Sequence, residues 1–158
     1  MTQIPQTDGL WARLSTAARE AVAAIDAERL ETERARVSAA RRGSITEPVY
    51  TVRKRFAAWE SLIRILESGP DPDGFYPFSA YENDLDNRDS LEDVLARLPV
   101  AVRAELAEVL ALLDARFTAA TNQDVTGQLD PWLRNARGRA PAEHGWWWRV
   151  PKAAPWQG

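Results

Sequence analysis

Cysteine is absent from this 158-residue chain, and histidine occurs once, at His144. The first absence excludes disulfides and thiolate-held metals and fits a cytoplasmic home. The second leaves little for a histidine metal site, and a di-iron bundle would need Glu-x-x-His pairs on its helices. No apolar run approaches the roughly 20 residues that a membrane span needs, so no membrane contact is expected. The first seven residues, MTQIPQT, are polar around a proline and do not read as a secretory signal. There is no G-x-S-x-G, no phosphate-cradling glycine loop and no zinc-protease motif. These absences predict a protein that is not an enzyme and that holds no cofactor.

What is present is helical. The stretch 75–117 organises the rest. In VAVRAELAEVLALLDARF, the residues Val102, Leu106, Val109, Leu110, Leu113 and Phe117 share one helical face. Pro99 suits a first turn, where a missing N–H costs nothing. The preceding helix carries Leu91, Val94, Leu95 and Leu98. Projected back, its apolar face reaches Tyr81 and Leu85, but also Asp84, Asn87 and Arg88. An Asp84–Arg88 pair at spacing four, acid first, would satisfy both charges. A break remains open, since Ser90 and Asp93 fit a capping box and a new helix could start at Leu91.

The remaining elements follow from caps and stripes. Asp8 reads as the cap of a long first helix, with Leu10, Leu14, Ala17, Ala18, Ala21 and Ile25 on one face. Nothing interrupts it before Gly43, although its apolar pattern thins after Asp26. Acid-to-arginine pairs at spacing three (Asp26–Arg29, Glu31–Arg34, Glu33–Arg36) support an exposed second half that projects or pairs with another copy. Val49, Val52, Phe56, Trp59, Ile63 and Leu66 mark the next helix, with Thr46 as cap. Prolines and Asp-Gly make 70–78 a loop, whose Phe75, Tyr76 and Phe78 are expected to fold back over the core. Asp130–Pro131 opens a short helix. The fold expected is all-α: one domain of about five helices (about 9–42, 47–68, 80–98, 99–121 and 131–137), a central antiparallel hairpin, and an irregular tail over 138–158.

Charge and tryptophan are unevenly placed. Between Asp71 and Asp93 eight acids face one base, Arg88. From Asp130 onward five bases face two acids, and this last part holds five of the seven tryptophans. Indole rings at that density are not left in water, so the tail either clamps the helices or forms a binding surface. A net charge of −3 and a pI near 5.3 are the wrong sign for phosphate, so no nucleic-acid partner is expected from overall charge.

YENDLDNRDSL, LDARFTAAT and WWWRVP together resemble small uncharacterised helical proteins of high-GC actinobacteria. The likeness covers roughly the C-terminal half and transfers no activity and no site residue. It implies a compact bacterial protein of accessory gene content, and so favours an immunity or antitoxin-like role over core metabolism.

The leading expectation is therefore a non-catalytic cytoplasmic protein that offers an acidic helix face to a basic toxin or effector. Its contact residues would be Tyr81, Glu82, Asp84, Asp86, Asn87, Arg88 and Asp89, with Trp146, Trp147 and Trp148 as anchors. A homodimeric module paired through the long first helix is the alternative. A third is a hydrolase holding a divalent metal on carboxylates of residues 82–93.

Overall fold

A computed structural model describes residues 7–69, 74–131 and 145–156. It is all-α, with six helices among the described residues: α1 (Thr7–Trp11), α2 (Thr16–Ala35), α3 (Ala39–Arg42), α4 (Val52–Ser68), α5 (Phe78–Arg97) and α6 (Val100–Ala119). One two-residue ladder, β1 (Thr121–Asn122) with β2 (Val150–Pro151), is antiparallel. The chain packs as two compact units. One comprises Met1–Ala57 with Ser90–Leu110, the other Ala58–Asp89 with Ala111–Gly158. Helices α4, α5 and α6 each contribute a part to both.

In the first unit the single long helix expected over 9–42 is three shorter ones. Asp8 is not its cap. It lies inside α1 and pairs with Arg53. The break before α2 has a local cause and a distant one. Ser15 adopts extended backbone, and its Oγ accepts from Ala18 N at 3.1 Å, capping α2. Its own N–H and hydroxyl donate to Glu105 at 2.9 and 2.7 Å, which holds the Glu105 carboxyl below its usual range. Leu10, Leu14, Ala18, Val22 and Ile25 are buried, whereas Ala17 is exposed. From Asp26 to Arg42 no side chain is buried, as the thinning pattern implied.

This exposed half is nevertheless tied down. Asp26 accepts from Val52 N at 3.0 Å, and Glu33 from Val49 N at 3.0 Å. Of the three expected spacing-three pairs, the Glu31–Arg34 bridge forms, at 3.4 Å, while Asp26 and Glu33 cap the returning chain. That return also moves the start of α4. Thr51, not Thr46, supplies the cap, accepting from Lys54 N at 3.1 Å. Val49 therefore falls outside the helix and is 67% exposed, while Val52 and Phe56 stay in the core. The α5–α6 hairpin is present and turns at Leu98–Pro99, with α5 unbroken through Ser90. Leu91, Val94, Leu98, Val102, Leu106, Val109 and Leu110 complete the first unit's core.

The second unit is built on Trp59, Leu62, Ile63, Leu66, Tyr81, Leu85, Leu113, Phe117 and Leu129. Every member of the α6 stripe, from Val102 to Phe117, is buried. The Trp59 and Phe117 rings stand 4.5 Å apart. Tyr76 and Phe78 are half-buried, but Phe75 is 91% exposed and does not fold back. The expected short helix at 131–137 lies outside the described residues beyond Pro131.

Candidate functional site

The acidic stretch of α5 and the tryptophan tail, read separately in the sequence, meet each other in the second unit. Arg88 lies on the inner side of α5, as its register requires. Its partner is not Asp84, as expected, but Asp114 of α6. Nε and Nη2 of Arg88 each donate to an Asp114 oxygen at 3.0 Å. The i,i+4 pairing loses because a buried guanidinium needs an acceptor facing it across the core, and Asp84 is turned elsewhere. Asp84 accepts from the Tyr76 hydroxyl, and its backbone carbonyl accepts from Asn87 Nδ2 at 3.2 Å. Burial raises the Asp84 carboxyl above its usual range, against the lowering effect of that hydroxyl. The Tyr76 phenol is pushed up by burial and by Asp84.

The tail closes over this network. Trp59 Nε1 donates to Asp114 at 3.1 Å. The Arg88 guanidinium lies 4.5 Å from the centre of the Trp147 ring. Trp147 Nε1 and Trp148 Nε1 both donate to Asp89 Oδ1, at 2.6 and 3.1 Å. Tyr81 donates its hydroxyl to the Arg149 carbonyl. Arg149 in turn donates to Thr121 Oγ1 at 2.8 Å and to the Thr121 carbonyl at 3.1 Å. A Cβ on Gly145 would stand 2.2 Å from the Trp147 ring, so glycine alone admits the chain here. Trp156 stacks edge-on against Phe78 at 4.9 Å.

Most of the residues expected to meet a partner are thus turned inward. Tyr81, Glu82, Asn87, Arg88, Trp147 and Trp148 are buried, and Asp84, Asp86 and Asp89 are half-buried. Trp146 alone of the set is exposed, at 48%. Asp114 and Trp59 belong to the network too, Trp59 being expected from the sequence only as a core residue of its helix and Asp114 not at all. The signal was available for Asp114: it stands four residues after Leu110, on the face of the apolar stripe. Thr121 and Arg149 gave no such signal.

Beside Trp146 the surface opens into a cleft of about 600 Å³, between the 123–130 loop and residues 145–149. Asp124 shapes the loop by accepting from Gln128 N at 2.8 Å and Leu129 N at 2.9 Å. Gly127 turns it with a φ of 70°. Val125 stands out at 87% exposed. Among the described residues no three His, Asp or Glu side chains converge as metal ligands, and no helix is long and apolar enough to cross a membrane. No family model, no curated protein and no solved structure matches this chain.

Glu82 offers a first test. It is buried, with 7% of its surface exposed, and both burial and the Asp86 charge one turn away raise its carboxyl. A raised acid stabilises the fold while protonated and loses that contribution as pH rises through its folded value. Glu82→Gln is therefore expected to melt higher than the parent at neutral pH. The difference should shrink as pH falls through the carboxylate range. Thermal melts across that range check it, and a lower neutral melting point for the variant would contradict it.

Proposed function

We propose that this chain is a protein-binding protein without catalytic chemistry of its own, and that it meets its partner at the cleft beside Trp146. The observation that supports this is the division of labour in WWW. Two consecutive indoles are buried and bonded to Asp89, whereas the third stands exposed at the mouth of a cleft beside an exposed Val125. Exposed tryptophan rimmed by polar groups is a common anchor of protein interfaces.

Charge favours a basic partner. The second unit's sequence carries twelve acids against eight bases, and such a field speeds association with a cationic surface. The α5 acids act in this reading through their field rather than as contacts. An immunity or antitoxin-like inhibitor of a basic effector is the form of binding protein these features fit.

The test compares two forms of the tagged chain as bait, the parent and Trp146→Ser/Val125→Ser. Basic proteins retained by the parent, released by salt and missing from the variant are the expected result. Equal retention by a variant with an unchanged melting point would move the surface elsewhere.

A further inference from the structure

The first unit carries a charged strip that the proposed cleft leaves unused. Residues 29–55 contain eight bases (Arg29, Arg34, Arg36, Arg41, Arg42, Arg53, Lys54, Arg55) and three acids, with no acid between Glu33 and Glu47. The fold joins the parts of this stretch. Arg42 Nε donates to the Arg34 carbonyl at 3.2 Å, which sets α3 against the end of α2. Val49 N reaches Glu33, and Arg29 Nη1 donates to the Tyr50 carbonyl at 3.4 Å, which lays the 49–51 segment along α2. The Arg55 guanidinium then stands 4.1 Å from the Tyr50 ring centre.

The acids within the strip are engaged. Glu31 pairs with Arg34, Glu33 accepts from Val49 N, and Glu47 pairs with Lys54. Arg36, Arg41 and Arg42 are exposed, and no acid pairs with Arg36 or Arg41 among the described residues. Between the two clusters lie the exposed Val49 and Tyr50, the latter 49% open to solvent. One face of the Tyr50 ring is occupied by Arg55, and its remaining surface is available for stacking.

We infer that this strip binds a single-stranded nucleic acid. Guanidinium groups along one track suit phosphates, and a half-open tyrosine backed by arginine suits an unpaired base. An acidic protein segment would use the arginines but would gain nothing particular from the tyrosine face. The whole-chain charge of −3 opposes the encounter and keeps the affinity modest, and it acts less strongly on a contact local to a unit whose own sequence has twelve bases and eleven acids.

Fluorescence anisotropy of a short labelled single strand, titrated with the intact chain over a range of salt, tests this. Binding should be saturable at low salt. Its logarithm should fall against log salt with a slope of about −3, from roughly −0.7 for each of four arginine–phosphate contacts. Arg36→Ala/Arg41→Ala should flatten that slope by about half. Tyr50→Ala should weaken binding about tenfold at an unchanged slope, and Tyr50→Phe should restore it. Melts of each variant confirm folding, and these surface changes should leave them level. No saturable binding at low salt overturns the inference, as does binding indifferent to the Tyr50 and arginine changes. Equal competition by polyglutamate would show a surface that reads charge alone, and would overturn it too.

Discussion

Arg88→Met is expected to destabilise the protein by about 3–5 kcal/mol, the usual cost of removing one member of a buried ion pair. Arg88 and Asp114 are 5% and 15% exposed at their side chains, and their two hydrogen bonds are both 3.0 Å long. Removing the arginine leaves an inward-facing carboxylate without the cation it faces, while the Trp59 indole still donates to it. It also removes the cation stacked on Trp147. Arg88→Lys should fall between, because an ammonium keeps the charge but not the two-pronged geometry. Arg88→Met/Asp114→Leu should recover much of the loss, and the Trp59 N–H left without an acceptor should hold back about 1–3 kcal/mol. Urea unfolding measures each, with the midpoint moving at constant slope. A loss below about 1 kcal/mol for Arg88→Met would mean that the pair behaves as a solvated surface bridge.

Asp89→Ala is the second large effect, and it reports on the tail. One carboxylate oxygen takes two indole N–H groups, from tryptophans that are 6% and 3% exposed. Each orphaned donor costs about 1–3 kcal/mol, so a loss of about 3 kcal/mol is expected. Part of it should appear as a loosened tail, with the tryptophan emission shifting red before global unfolding. Asp89→Asn keeps an acceptor oxygen and should lose less. A variant with parental stability and emission would show that the indoles find other acceptors, and that Asp89 does not hold the tail.

Where one helical face sufficed, the sequence was readable. The α6 stripe and most of the α4 stripe are buried as their spacing implied, and the hairpin turns at Pro99. Local rules misled where a distant residue competes. The first helix lacks any proline or glycine between Leu10 and Arg42, yet it breaks at Ser15, which Glu105 engages from 90 positions away. Asp26 and Glu33 had arginines at favourable spacing, yet they serve backbone N–H groups of the 49–52 segment. Asp84 and Arg88 stood at good spacing too, yet the core offered Arg88 a better acceptor. The concentration of acids near α5 suggested an open face. It could not reveal that the tail's indole donors would turn Asp89 into an anchor, because no helical period links residue 89 to residues 147 and 148.

The two-part make-up of each unit bears on how the chain can be built. The first unit needs Ser90–Leu110 as well as Met1–Ala57, and the second needs Ala58–Asp89 as well as Ala111–Gly158. During synthesis from the N-terminus, the first unit therefore has no complete core until Leu110 has emerged. By then the buried Val52 and Phe56 have waited for Leu91 and Leu106 of the same unit. The second unit waits longer, for the Trp147 and Trp148 indoles that bond to Asp89. Neither unit can close on the ribosome before a distant segment of its own has emerged, and its apolar stripe stays uncovered until then.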